Sequence, residues 1–200
     1  MEHWLSPVKL EGERVRLLPL QKSHKVDLAF AASDGNLWRL WYTSVPAPAV
    51  MDSYLETALA EQQAGISLPF AVIDKQTDTL VGCTRYMNVE AGHKRLEIGS
   101  TWYAKRVQRT GLNTECKYLL LKHAFETLGC IAVEFRTHFH NRPSREAILR
   151  LGAKQDGILR NHRVDERGNL RDTVVFSIID SEWRTVRTGL EFRMGRGEPL

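Results

Sequence analysis

The sequence predicts a single α/β domain of α+β character, built on a central mixed, mostly antiparallel sheet flanked by helices. Three observations predict it. The 200 residues hold no internal repeat, low-complexity tract or Pro/Gly-rich linker, so one domain is the better count. Strand-like segments follow one another directly through the middle of the chain, which calls for neighbouring antiparallel strands. Helical patterns alternate with strands only in part, which a purely parallel sheet does not allow.

In chain order, Arg14–Pro19 opens as a short strand, and Lys22–Ser33 reads as a helix with Val26, Leu28, Ala29 and Ala32 on its apolar side. Residues 36–48 are irregular, gather Trp38, Trp41 and Tyr42, and end in a Pro-Ala-Pro stop. Val50–Ala64 is a second helix, closed by Gly65. Leu68–Asp74 and Leu80–Asn88 flank a polar turn and form a hairpin, and Arg95–Tyr103 is the next strand. That strand alternates, with Leu96, Ile98, Ser100 and Trp102 on one face and Glu97, Gly99, Thr101 and Tyr103 on the other. Thr114–Leu128 has the strongest helical pattern, with Cys116, Leu120, Ala124 and Leu128 four residues apart and Gly129 as its stop. Ile131–Thr137, Lys154–His162 and Asp172–Ile179 are strands, Ser144–Leu151 is a short helix, and Ser181–Met194 is an amphipathic closing helix. That last helix suits either a homodimer contact or packing on the sheet.

Composition removes several function classes. Hydrophobic residues at 42% and charged residues at 26% place the chain among ordinary globular domains rather than disordered or fibrous ones. Apolar runs such as Tyr118–Leu121 fall far short of the ~18–20 residues that span a bilayer, and residues 1–15 show no signal core, so no membrane partner is expected. Cys83, Cys116 and Cys130 are odd in number and lack zinc spacing, which fits a cytoplasmic protein without a metal. A net charge of +4 clusters at Lys105–Arg109 and along the tail. No aromatic residues interleave with it, so a phosphorylated ligand fits better than nucleic acid.

The segment Trp102–Thr114 (WYAKRVQRTGLNT) carries the most chemistry: a strand ends, a basic loop with one glycine follows, and a long helix begins. Free N–H groups of that helix's first turn, together with the loop amides, make an anion cradle. The sequence has neither GxxxxGK[ST] nor GxGxxG, so the two common nucleotide loops are absent.

Gln108-Arg109-Thr110-Gly111-Leu112-Asn113 resembles the [RQ]xxGx[GA] pyrophosphate loop of the GNAT N-acetyltransferase superfamily, with Asn113 where Gly or Ala is usual. Thr114-Glu115, the run from Asn141 through Ser144 to Gly152, Asp156-Gly157, Arg171-Asp172, Ser181-Glu182-Trp183 and the opening Leu10–Leu17 are similar to its RimJ/RimL-type branch, which acetylates ribosomal-protein N-termini. The resemblance covers about residues 10–194 and implies acetyl-CoA as co-substrate, without a metal. It implies a CoA-binding set of Trp102, Tyr103, Ala104, Arg106, Gln108, Arg109, Thr110, Gly111, Leu112, Asn113, Thr114, Asn141 and Ser144. The backbone from Gln108 to Asn113 would hold the pyrophosphate, Arg106 and Arg109 would add charge, and Asn141 would contact the pantetheine arm.

Catalysis of amine acetylation needs a base for the ammonium and a proton for the departing thiolate. Glu97 is the first candidate base, with His138 and His140 the second. Many GNAT enzymes use a tyrosine four residues beyond Ser144 as acid. Ile148 stands there, which leaves Ser144 as the nearest hydroxyl and Tyr103 as a fallback. Trp38, Glu97 and His138 are the acceptor-side candidates, with Trp41 and Tyr42 assigned to the core. Three functions remain open: acetylation of a peptide or protein N-terminus, acetylation of a small amine, and a catalytically silent acyl-CoA-binding module. Glu97 is equally compatible with a solvent-facing carboxylate, and Asn141 and Ser144 with plain helix capping.

Overall fold

The computed structural model describes residues 4–165 and 167–196. One eight-stranded sheet runs in the order β1-β2-β3-β4-β5-β6-β8-β7, where β1 is Leu10–Glu11, β2 Val15–Pro19, β3 Leu68–Asp74, β4 Thr79–Glu90, β5 Arg95–Tyr103, β6 Ala132–His138, β7 Lys154–Val164 and β8 Leu170–Ile179. Every neighbouring pair is antiparallel except β5 with β6. The helices are α1 Lys25–Ser33, α2 Met51–Gln63, α3 Leu112–Lys122, α4 Arg142–Arg150 and α5 Asp180–Arg193. The mixed, mostly antiparallel sheet is thus as the sequence predicts. Differences are local: Lys22–His24 is a 3₁₀ turn before α1, α3 begins two residues earlier than expected, and its last part, His123–Thr127, widens into a π turn.

Two features of β5 shape the molecule. It pairs with β6 only through Arg95, Leu96 and Glu97, opposite Ala132, Val133 and Glu134. Beyond Glu97 the two strands separate and leave facing backbone edges without a ladder. Against β4 the register jumps from Cys83↔Trp102 to Arg85↔Gly99, so β5 holds one extra residue there, and Ser100 sits at φ +46°. This bulge reverses the alternation. On β4, residues 83, 85 and 87 share a face, and their partners are Trp102, Gly99 and Glu97. Trp102 therefore lies on the face of Glu97, not opposite it as unbroken alternation predicts.

That face is covered in part by α2, whose Tyr54 hydroxyl accepts from Trp102 Nε1 at 3.3 Å and whose Glu61 pairs with Arg85 at 2.8 Å. The other face carries α3: the Tyr86 hydroxyl donates to the Leu120 carbonyl at 2.6 Å, and Lys117 Nζ donates to Thr84 Oγ1 at 3.2 Å. The closing helix α5 packs on α3, with Trp183 stacked on Phe125 at 5.2 Å and the Tyr118 hydroxyl on Glu191 at 2.7 Å. Leu17, Phe70, Tyr86, Leu96, Leu120, Phe176 and Ile178 are fully buried in the core, and the three cysteines are buried free thiols.

Candidate active site

The loop after β5 is held by the end of α1. Asp34 accepts the Arg106 N–H at 3.0 Å and the Arg106 guanidinium at 3.3 Å, and its carbonyl accepts the Lys105 N–H at 3.2 Å. Arg106 thus pairs with Asp34 and anchors the loop to the end of α1. Gln108 Nε2 donates back to the Tyr103 carbonyl at 3.1 Å, and Thr110 Oγ1 to the Val107 carbonyl at 2.7 Å. Arg109 (φ +63°) and Gly111 (φ +75°) are left-handed, and Gly111 is the N-cap of α3. The first intrahelical bond there is Glu115 N–H to the Gly111 carbonyl at 3.1 Å, so the N–H groups of Leu112, Asn113 and Thr114 have no acceptor within the helix. A Cβ on Gly111 would meet only Arg14 Nη1, at 3.8 Å. The space before α3 is thus an open, amide-lined concavity, and it fits a diphosphate.

Arg14, Arg193 and Arg196 line a small cavity of about 90 Å³ beside Gly111 and Thr114. Sequence reasoning missed this group because its members come from the two ends of the chain. Glu115 explains why the ends meet: its buried carboxylate accepts the N–H groups of Glu13, Arg14 and Val15 at 2.9, 2.7 and 2.8 Å and pairs with Arg196. A Cβ on Gly12 would overlap that carboxylate, at 2.5 Å. The Gly-Glu-Arg-Val turn and the Thr-Glu pair, both read as separate signatures, form one clamp.

On the Glu97 face, residues from four strands converge. Parity through the register puts Glu97, Glu134, Arg136, His138, Thr173 and Arg171 on one side of the sheet. Glu97 is 5% exposed and accepts from Asn88 Nδ2 at 2.6 Å, with Arg136 Nε at 3.7 Å. Burial raises its pKa above the ordinary carboxylate value, against the opposing pull of Arg136 and Asn88. The buried, cleft-held carboxylate is therefore the alternative that the structure presents, rather than the solvent-facing one.

His138 is also buried, and burial together with Arg171 and His140 lowers its pKa below the ordinary imidazole value. Its Nδ1 accepts the His140 N–H at 3.1 Å. With Nδ1 accepting that N–H, the neutral ring carries its proton on Nε2 and can donate from there. Trp41, not Trp38, packs on it: the Trp41 ring lies 5.1 Å from His138 and 5.4 Å from His140, while Trp38 makes no aromatic contact among the described residues. Trp41, which the sequence reading assigns to the core, is thus the aromatic ring against His138.

Three further expectations meet the geometry. Asn141 Oδ1 accepts the Ser144 N–H at 3.2 Å and caps α4, which leaves its Nδ2 free to donate. The Ser144 hydroxyl has no partner among the described residues, while Ile148 is buried. Tyr103 is set aside as an acid: its hydroxyl is sealed in the core beside Cys116, without a hydrogen-bond partner, and burial pushes its pKa well up. Its carbonyl still anchors the loop.

Residues 14–154, which include the split between β5 and β6, the bulge and the amide cradle before α3, match the acetyltransferase (GNAT) domain. The chain belongs to the GNAT acetyltransferase family. It is similar to a GCN5-related N-acetyltransferase from Brucella melitensis, 31% identical over 94% of this chain and 86% of that one, with a TM-score of 0.85. Mycobacterium smegmatis RimJ, solved with CoA-disulfide, shares the fold over the whole of both chains at 20% identity and a TM-score of 0.80. A curated relative, the uncharacterized N-acetyltransferase p20 of Bacillus licheniformis, is 25% identical over 57% of this chain, and the match spans 63% of that relative's length.

Proposed function

We propose that the protein transfers the acetyl group of acetyl-CoA to the terminal amine of a peptide or protein. The observation that carries the peptide reading is the open acceptor side. Glu97, Arg136 and His138 lie on a sheet face whose outer wall, Trp41, is 54% exposed, and neither the cavity between α4 and α5 nor the one beside Gly111 is lined by any of them. An extended chain end fits such a face better than a molecule that must be enclosed. The likeness to RimJ points the same way.

In this reading the diphosphate of CoA rests on the amides from Gln108 to Thr114, with Arg109 and Arg14 nearby. The pantetheine arm runs between β5 and β6, where the unpaired strand edges and Asn141 Nδ2 offer hydrogen bonds. The thioester then reaches the bulge at Ser100, in line with Glu97. Glu97 takes a proton from the acceptor ammonium, and the neutral amine attacks the thioester carbonyl. Backbone N–H groups of β5 and the Nε2–H of His138 receive the developing oxyanion, an effect worth ~3–4 kcal/mol per donor in other enzymes. The C–S bond breaks and the acetyl group stays on nitrogen; the second proton of that nitrogen passes through the Ser144 hydroxyl, or through water, to the departing thiolate, so that Ser144 ends as it began. Holding both substrates at attack distance supplies ~7–11 kcal/mol of the barrier reduction, so positioning outweighs the base.

The test is free-thiol release from acetyl-CoA across N-terminal peptides and small amines. Turnover with peptides supports the reading. Turnover confined to small amines overturns the peptide assignment, and CoA binding without turnover on any amine leaves a silent acyl-CoA-binding module.

A further inference from the structure

The face that carries Glu97 also carries two arginines for which the chemistry of acetyl transfer has no use. Arg163 on β7 and Arg171 on β8 stand directly opposite one another in register, so both side chains leave the sheet on the same side. Two residues along β8, Thr173 pairs with His138, which places Arg171 on the face of His138 and Glu97. Like charges directly opposite on neighbouring strands destabilise a sheet.

Other arginines here are neutralised. Arg136 pairs with Glu134 at 2.9 Å and Arg160 with Asp172 at 2.6 Å. Among the described residues, Arg163 and Arg171 form no ion pair, and Arg171 Nε is buried with no hydrogen-bond partner. Their field extends to the neighbours: burial first and then Arg163 lower the pKa of Arg171, against an opposing pull from Glu97; burial and Arg163 lower that of His162, and burial and Arg171 that of His138. The face therefore presents a buried carboxylate, suited to an ammonium, and beside it a pair of guanidiniums that feel its charge but form no ion pair among the described residues. Paired guanidinium forks match the planar oxygens of a carboxylate or a phosphate.

We infer that Arg163 and Arg171 recognise an acidic group on the acceptor, so that the preferred substrate is a peptide with a carboxylate or phosphate side chain close to its terminal amine. This rests on the peptide reading given above and adds a specificity to it.

The experiment compares initial rates of thiol release for peptides of one length that begin with Ala, Asp, Glu, phosphoserine or Lys, together with small amines with and without a carboxylate. The enzymes are the wild type, Arg171→Gln and Arg163→Gln; the second replaces an exposed side chain and so guards against misfolding. The wild type is expected to favour acidic over alanyl peptides in kcat/KM by roughly tenfold to a hundredfold, the worth of one or two hydrogen bonds to a charged group. Both variants are expected to bring that ratio toward one, mainly through KM. Refusal of every peptide, with acidic small amines preferred and the preference lost in the variants, sustains the arginine site and removes the peptide reading. Equal wild-type rates on acidic and neutral peptides, or a preference that survives both substitutions, overturns the inference and leaves the peptide reading standing.

Discussion

The proposed donor and acceptor sides of the cleft are built from different materials. At the donor side, the loop from Lys105 to Gly111 and the first turn of α3 offer backbone amides, and side chains such as Asp34 and Gln108 serve to hold the backbone in place. At the acceptor side, the chemistry lies in side chains from β4, β5, β6, β7 and β8, brought to one face by strand register. A backbone site tolerates changes of side chain but not of backbone conformation. A side-chain site is the reverse, and it is where specificity varies while the donor stays the same.

The sharpest way to break this contrast is Glu97→Gln, which keeps the side chain's shape and removes its basicity. It is expected to lower kcat by about 10²–10⁴-fold, the usual worth of a positioned base, with CoA affinity unchanged. A matching loss of CoA affinity in a binding titration would show that the two sides are not separable.

Glu115→Ala attacks the frame that both sides share. It removes the acceptor of three backbone N–H groups and the partner of Arg196 in the interior. A loss of about 3 kcal/mol is expected, and in a chain of this size each kcal/mol moves Tm by roughly 2–4 °C. A thermal melt that stays within a degree of wild type would remove the clamp from the account.

Gly111→Val probes the donor side alone. The left-handed φ of +75° disfavours a β-branched residue, and its side chain would project into the amide concavity. CoA affinity is expected to fall about tenfold to a hundredfold, equivalent to roughly 1.4–2.8 kcal/mol, with kcat at saturation little changed. Unaltered affinity by calorimetry would move the diphosphate elsewhere.

The smallest expected effect concerns Lys117, which ties α3 to the sheet beneath it by donating to Thr84 on β4 and to Thr101 on the bulged β5. Burial lowers its pKa to about 8. The unfolded chain then binds more protons than the folded one between about pH 8 and 10.5, so stability rises with pH across that window, and the cost of burying the charge is fully present below it. Lys117→Met is expected to raise stability by about 1–3 kcal/mol at pH 7 and to flatten the rise, as denaturant melts at pH 7 and pH 10 would show. Thr84 and Thr101 remain hydrogen-bonded to each other at 2.8 Å without it.

The same contrast explains what the sequence makes legible. A cradle of consecutive amides is written locally, so the order strand, basic loop, Gly111, helix is enough to find it. The loop's fixing by Asp34 is not written there, because that contact comes from the far end of α1. The acceptor face is written in register. A single extra residue at Ser100 transfers Trp102 to the other side of the sheet, and no pattern of hydrophobicity marks it. Trp41 and Trp38 lie three residues apart in an irregular segment without a period, so nothing local tells which one meets His138. Arg163 and Arg171 become neighbours only when β7 and β8 pair. The β-branched run in β8 and the four-residue spacing in α3 are strong enough to place both elements, with differences of a few residues at their ends.

The central claim, that a buried carboxylate on the acceptor face frees the amine, is tested most directly by the pH profile of acceptor-dependent thiol release for the wild type and Glu97→Gln. The account predicts that the wild type holds its rate on the acid side down to the raised pKa of Glu97. The variant's rate should instead climb about tenfold per pH unit up to the amine's own pKa, so that the two curves approach each other in alkali. Profiles of identical shape, differing by a constant factor or not at all, would contradict it.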